Sequence, residues 1–594
     1  MRCTFLFFLL FPLVGYCQNT IGLPDVINYN KLAYNAGLQN WDIKQDKNGI
    51  IYLANNEGLL SFDGKYWKLF PLPNKTIVRS IGIGDDNRIY VGGQDELGYY
   101  APAINGKLEY NSLTRLIPER DKSFGDVWDI VFIKKDIFFR TPSKIFKITN
   151  EAVAVYNAPG EWLYMGGCNG RLFSQDSKDG LLTYENNIWA QLPTVNKLPA
   201  NDPITAILPI KKGGIIFTTL KSGLFTLADK VFSKVNSVAS NIFEKERIYS
   251  AVAINAEWIA LATNNGGVYI TDSKGDLIQS FSKNEGLQDN NVLSIFLDKQ
   301  SNLWLGLNNG VDCIAYNSAI KHIMPRQQDG SGYAAIVHKN YLYTGTSAGL
   351  FSVPLQQNTD LSFSKGLFLP VTNTSGQVWG IAEINGKLLM GHHEGAFDIN
   401  ENTAQRISTI PGFWNFTPMS SVYPSASIVA GNYKGLTFFN YTTKEFSVAE
   451  NMPAFNESSR FVALDKFDNI WVSHPYHGVY KLMRAKDGRY TSELYTNKNG
   501  LPSTLNNHVY KIKNEVVVAT EKGIFLYNPA KDIFEPADYY QKILGSQSLR
   551  YLREDTEGNI WFIHEKNLGV VDMSGKNPEI IYLPELNNKL LRGK

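Results

Sequence analysis

The chain has 594 residues, too many for one ordinary domain, and with 44% hydrophobic and 19% charged residues it has the composition of a folded globular protein. Its 58 basic and 56 acidic residues nearly cancel to a net charge of +2, and no long basic stripe breaks the balance, which argues against a nucleic-acid partner. Aromatics reach 13% beside 49 glycines, so aromatic strands punctuated by glycine turns, and hence an all-β fold, are expected.

The first element, "MRCTFLFFLLFPLVGYCQ", has one Arg, an apolar run from Phe5 to Val14, then small or neutral residues. The run is too short to span a bilayer and reads as a secretory signal peptide over residues 1–17, cut after Cys17, with Gly15 and Cys17 as the small residues. A lipoprotein reading needs a small residue before the cysteine, and Tyr16 stands there. Cleavage leaves Cys168 and Cys313, expected as two buried free thiols far apart in the repeat register.

From residue 18 onward one short phrase recurs. "DKNGIIYLANNEGLLSFDG" begins at Asp46, "DKQSNLWLGLNNGVDCIAY" at Asp298 and "DTEGNIWFIHEKNLGVVD" at Asp555. Its anchor glycines are Gly58, Gly98, Gly180, Gly223, Gly267, Gly310, Gly349, Gly395, Gly435, Gly478, Gly523 and Gly569, with Lys144 in the equivalent place between Gly98 and Gly180. Each unit has an apolar strand, a polar turn, an aromatic strand, a second turn ending on the anchor, a third strand and a looser fourth. Four short antiparallel strands at a period of about 40–45 residues are the signature of a β-propeller blade. Trp304, Trp471 and Trp561, with Tyr52 and Tyr90 as counterparts, are expected to fill the space between blades.

Thirteen anchors exceed the usual 4–8 blades of one ring. The expected architecture is therefore two consecutive propellers: a seven-bladed one over 18–325, then a second over 326–594 with six complete repeats and the last blade missing. On that count the chain stops early, as a fragment of a longer protein would; a genuine six-bladed second ring is the alternative. Val26 to Tyr34 is expected to supply an outer strand closing one of the rings.

The phrase "SIFLDKQSNLWLGLNNGVDCIAY" resembles the two-component regulator propeller repeat. "GLQNWDIKQDKNGIIYLANNEGLLSFDGKYWKLFPLPNKTIVRSI", with "YVGGQDELGYY" and "DVWDI", is similar to the sensor regions of large Bacteroidetes regulators. The resemblance implies two seven-bladed propellers, a triple-tyrosine immunoglobulin-like domain, a transmembrane helix, and a cytoplasmic helix-turn-helix or histidine kinase output. It implies a periplasmic sensor of glycan breakdown products or related nutrients. Membrane attachment and any kinase activity would lie downstream of this chain, and a full-length protein would be a candidate homodimer.

Chemistry is sparse. "GTSAG", Gly345 to Gly349, matches a hydrolase elbow pattern but occupies a hairpin slot. His474 and His477 in "HPYHGVY", and His392 and His393 before Gly395, lack a third ligand at metal-site spacing, so no metal and no cofactor are expected. Asp-rich turns such as "DKFDN" lack the ligand ladder of a calcium loop and serve as hairpins. Binding is sought instead where inner strands begin. Aligning them puts Trp41, Arg79, Trp128, Thr205, Ser250, Leu293, Ala334, Trp379 and Arg550 in one slot. Aromatic faces stack on sugar rings and Arg forks grip carboxylates or sulfates. Gln94, Asp95 and Glu96 in "GGQDELGYY" add polar groups. The ligand set expected is Trp41, Arg79, Gln94, Asp95, Glu96, Trp128, Trp379 and Arg550, for a small soluble ligand such as an oligosaccharide. A secreted propeller lyase or glycosidase, and a protein-binding scaffold, are the alternatives.

Overall fold

The computed structural model describes residues 19–104, 106–199, 202–325, 331–356, 361–452, 455–583 and 586. The leader, with Cys3 and Cys17, lies outside the described residues. Among the described residues there are thirteen four-stranded antiparallel sheets, three short α-helices, and no helix long and apolar enough to cross a membrane. The fold is an all-β propeller fold, each sheet one blade. Two compact units form: Met1–Ile323 together with Ser362–Lys365, and Met324–Leu361 together with Gly366–Lys594.

The turn chemistry explains why the phrase repeats. In blade 7 the Asp298 carboxylate accepts the backbone N–H groups of Gln300 and Asn302 at 2.9 and 2.8 Å on one oxygen. Its other oxygen accepts the Asn302 amide and the Trp304 indole N–H, both at 3.0 Å. Asp465 does the same for Asn469 and Trp471, and Asp555 for Asn559 and Trp561. One carboxylate thus closes the hairpin and orients the aromatic that packs between blades, using charge-assisted bonds. In blade 1 Asp46 caps the same turn and Tyr52 takes the tryptophan's place, its phenol pushed up to about 12 by burial and by Asp46. These turns work as hairpins, as their sequence implies. The "GTSAG" segment likewise joins strands Tyr341–Thr346 and Gly349–Pro354.

The anchor glycine has a steric reason. Gly58 has φ +141° and a Cβ there would lie 2.5 Å from the Phe70 carbonyl oxygen; Gly435, at φ +127°, would meet the Phe455 carbonyl at 2.2 Å. Positive φ and a backbone pressed against a neighbouring carbonyl leave room for no side chain.

In the first unit the innermost strands are Asn40–Gln45, Val78–Ile83, Asp129–Ile133, Trp162–Cys168, Ile204–Pro209, Ile248–Ala253 and Val292–Leu297. Each packs on the next, and the last packs on the first, so these inner strands close into a ring. The closure is made by Val26–Tyr29, which pairs antiparallel with Gly310–Ile314, Val26 opposite Ile314. The N-terminal strand is therefore the outermost strand of blade 7, and the ring that Val26 to Tyr34 closes is the first. Tyr29 stacks on Trp304, ring centroids 5.9 Å apart, and Asn28 donates to buried Asp312 at 2.8 Å.

The core lies between blades. Tyr52, Ala54 and Leu59 of blade 1 pack on Val78, Ile81, Val91 and Tyr100 of blade 2, and equivalent clusters follow around the unit. Cys168 and Cys313 are free and buried, burial pushing the Cys313 thiol up to about 12. Ser362–Lys365 also belongs to the first unit: Phe363 packs edge-on against Trp258 at 5.0 Å, and Lys365 donates to the Leu277 carbonyl.

The second unit has six four-stranded sheets among its described residues. Its innermost strands, from Gly332–His338 to Leu549–Glu554, pack in succession.

Candidate functional site at the inner-strand bulges

Most inner strands carry a β-bulge near their first residue. The register slips between Asn40 and Asp42, Val78 and Ser80, Trp162 and Tyr164, Ile204 and Ala206, Ile248 and Ser250, and Val292 and Ser294. In the second unit it slips between Gly332 and Ala334, Val378 and Gly380, and Leu549 and Tyr551. The unpaired residues are Trp41, Arg79, Leu163, Thr205, Tyr249, Leu293, Tyr333, Trp379 and Arg550. A bulge releases one residue from the ladder and re-aims its side chain. Two slot assignments from sequence are corrected. Tyr249 holds the place given to Ser250, and Tyr333 the place given to Ala334; a one-residue slip swaps the face that a side chain occupies.

In the first unit the bulge side chains of Trp41 and Arg79 converge with Trp128, which precedes the unbulged strand Asp129–Ile133. The Arg79 guanidinium lies 4.1 Å from the Trp41 ring centre and 4.7 Å from that of Trp128, with the two indoles edge to face at 6.0 Å. Arg79 Nε donates to Asp126 at 2.9 Å, and the Trp41 indole donates to Asn56 at 2.8 Å. Arg79 Nη1 is buried and has no hydrogen-bond partner among the described residues. Tyr249, from blade 6, feels the charges of Arg79, Asp129 and Arg140 from blades 2 and 3, while burial raises its phenol pKa.

Asp95, Gln94 and Glu96 are placed differently. The Asp95 carboxylate accepts the N–H groups of Phe124 and Gly125, both at 2.7 Å, and so holds the loop that carries Asp126. Gln94 is exposed and bridges Asp126 through its backbone. Glu96 accepts from Tyr110 at 2.9 Å and Ser112 at 2.7 Å on the outer strand of its own blade. Asp95 is thus a positioning residue, and Glu96 is not brought to the Trp–Arg group.

The second unit gathers a larger aromatic group. Trp379 lies 4.8 Å from both Tyr333 and Trp414, and its indole donates to the Tyr433 hydroxyl at 2.9 Å, which also contacts His393 Nδ1 at 3.1 Å. The Arg460 guanidinium sits 5.1 Å from the Trp414 ring and 5.5 Å from Phe461. Phe461 in turn packs on His508 at 4.8 Å. Burial, with the nearby charges of Arg460 and Arg550, lowers the His508 pKa to about 4. Trp414 Nε1 and His508 Nδ1 are buried without hydrogen-bond partners among the described residues. Arg550 is exposed at the bulge, its carbonyl accepting from Tyr510 at 2.8 Å.

The eight residues singled out from sequence thus divide: Trp41, Arg79, Gln94, Asp95, Glu96 and Trp128 in the first unit, Trp379 and Arg550 in the second. Asp126, Tyr249, Trp414, Tyr433, Arg460 and His508 were not among them. Tyr249 was legible had the bulge been allowed for; Trp414, Arg460 and His508 stand where the flanking phrase is too degraded to align. A separate cleft of about 380 Å³ between outer strands of blades 1 and 2, lined by Tyr52, Trp67 and Phe70 among others, contains none of these groups.

Residues 286–309 match the family model described as two component regulator propeller. Among curated proteins none matches the chain. Of solved structures, the extracellular domain of a hybrid two component system from B. thetaiotaomicron is 16% identical with a TM-score of 0.67, covering 94% of this chain and 78% of that one. The extracellular domain of a one component system from the same organism is 16% identical at a TM-score of 0.41, covering 96% and 74%. PorZ, a surface component of the type-IX secretion system of Porphyromonas gingivalis, is 12% identical at a TM-score of 0.36, covering 95% and 83%. Residues 286–309 thus match the two component regulator propeller repeat, and the fold of the chain is similar to that of the extracellular domain of a hybrid two component system.

Proposed function

We propose that this chain is the extracytoplasmic ligand-sensing region of a transmembrane signalling regulator, acting by binding and not by catalysis, in the periplasm. The ligand class that suits it is a glycan-derived or related oxygen-rich nutrient. The observation that carries this reading is Arg79. A guanidinium held between Trp41 and Trp128, with a buried Nη1 that has no partner, is a donor set in place for an oxygen acceptor that the fold itself does not supply. Leaving such a group unpaired costs about 1–3 kcal/mol, which a carboxylate, sulfate or sugar hydroxyl would recover on binding. In the second unit the faces of Trp379 and Trp414, with the unpaired indole N–H of Trp414, offer the stacking surface and donor that a sugar ring needs. A sensor also requires that the ligand favour one global arrangement over another.

The test is a thermal-shift and calorimetric screen of the purified chain against neutral, uronic-acid and sulfated oligosaccharides. A ligand at one hundred times its Kd adds about 2.7 kcal/mol of stability. The expected result is a shift with at least one class, reduced at least tenfold in affinity by Arg79→Ala or Trp379→Ala. A panel without effect, accompanied by stoichiometric capture of another exported protein, overturns the small-ligand reading in favour of a scaffold. Consumption of a saccharide overturns it in favour of an enzyme.

A further inference from the structure

The second unit brings together three metal-ligating groups that are scattered in the sequence. His474 ends the strand Ile470–His474 and His477 lies in the turn before Gly478. Glu457 comes from the segment that precedes the strand Phe461–Leu464. One ligand atom from each lies within 4.8 Å of the other two. This supplies the third ligand that spacing alone did not reveal.

The distances fit metal ligation as well as a loose ion pair. Glu457 Oε2 is 3.5 Å from His474 Nε2 and 3.4 Å from His477 Nδ1. Both exceed the 2.7–3.2 Å of an ordinary N–H···O bond. They match the ligand–ligand edge of about 3.3–3.4 Å that a tetrahedron with bonds of roughly 2.0–2.1 Å requires. The outer support is present as well: the Tyr480 hydroxyl donates to Glu457 Oε1 at 3.1 Å, leaving Oε2 directed at the imidazoles. Ligating carboxylates are commonly held by such a second hydrogen bond. The set is graded from largely buried to open, with side-chain exposures of 13% for His474, 33% for Glu457 and 51% for His477.

We propose that Glu457, His474 and His477 bind one zinc ion, with a fourth position open to solvent. Two histidine nitrogens and one carboxylate oxygen form a borderline donor set that favours zinc over magnesium or calcium. The ion clips the segment carrying Glu457 to the hairpin Ile470–Arg484. Two local adjustments accompany loading. The imidazoles now stack, centroids 4.1 Å apart and planes 14° apart, and must fan open so that both lone pairs reach one ion; His477, half exposed on its turn, is the ring that swings. When Nε2 of His474 ligates, the ring proton moves to Nδ1, and the long 3.3 Å bond from the Tyr476 N–H to that atom is given up.

The experiment uses tag-free, metal-stripped protein titrated with zinc by calorimetry at pH 7.5, with magnesium and calcium as controls and X-ray absorption of the loaded sample. Expected are one equivalent of zinc at micromolar Kd or tighter, a rise in Tm of several degrees, and two-imidazole scattering. His477→Ala and Glu457→Gln each weaken binding at least tenfold, while His393→Ala leaves it unchanged. His477 is half exposed, so its alanine variant keeps the fold and isolates ligation from folding. Absence of stoichiometric binding, or binding that survives both ligand substitutions, overturns the site. The outcome does not depend on whether a glycan binds at the bulge residues.

Discussion

His508 shows how one side chain records its surroundings. Its pKa falls to about 4 because burial and two arginine charges disfavour the imidazolium. A histidine with a depressed folded pKa adds stability that is fully present above about 6.5 and is lost as pH falls toward 4. The span corresponds to roughly 3 kcal/mol at 1.36 kcal/mol per pH unit. We expect wild-type stability to fall more steeply than that of His508→Phe between pH 6.5 and 4, measured by urea unfolding at each pH; parallel curves would show that the ring is not so buried. Arg79 makes a complementary case. Arg79→Lys keeps the charge and loses the planar stack on two indoles, so a loss of about 1–2 kcal/mol is expected in the same assay. An unchanged midpoint would mean that the stack contributes nothing. Of these two residues only Arg79 was legible from the sequence, because it breaks a pattern that is otherwise intact around it. His508 sits beyond "STLNN", where no capping aspartate marks the register.

At the scale of the element, the unit of this protein is the hairpin closed by one aspartate. Asp465 receives two backbone N–H groups, the Asn469 amide and the Trp471 indole. Removing it leaves Trp471 Nε1 without its acceptor beside a ring that is 1% exposed. Asp465→Ala is therefore expected to cost about 2–4 kcal/mol, whereas Lys466→Ala, one residue on and exposed, costs less than about 0.5 kcal/mol. Equal effects of the two, measured by denaturant midpoint, would refute the role given to the carboxylate. At Asp555 the Trp561 indole bond holds the carboxyl below its usual range, so that hairpin's contribution is present above pH 4 and fades as pH falls below it. The element also explains what sequence alignment misplaced. The bulge inserts one residue at the start of an inner strand, and nothing in "RIYSAV" or "SGYAAIV" says whether the extra residue precedes or follows the tyrosine; backbone pairing with the next strand decides it.

At the scale of the molecule, closure of the first ring joins residues nearly three hundred positions apart. Val26–Tyr29 completes blade 7, and Asn28 and Gln288 both donate to Asp312. Deleting residues 19–30 exposes the edge of Gly310–Ile314 and removes Tyr29 from Trp304, Trp67 and Phe62. A loss of roughly 3–5 kcal/mol is expected, with hydrogen exchange rising first at Gly310–Ile314 while Asp129–Ile133 in blade 3 stays protected. Retained protection at Gly310–Ile314 would refute the closure. An unpaired edge is a liability in any sheet protein, and a strand borrowed from the far end of the chain removes it while making the ring's integrity a long-range property.

The sequence by itself determined the propeller fold, the repeat and its aromatic slots, because each blade writes its turns and strands locally in the same residues. Val26 to Tyr34 could be read as a closing strand from its likeness to the end of blade 6, but not assigned to a ring. Only the tertiary structure decided that assignment, the register of each bulge, the gathering of Trp41, Arg79 and Trp128, and the approach of Glu457 to two histidines seventeen or more residues away. Those features depend on which blade lies beside which and on single-residue slips in pairing, and no local residue preference carries that information.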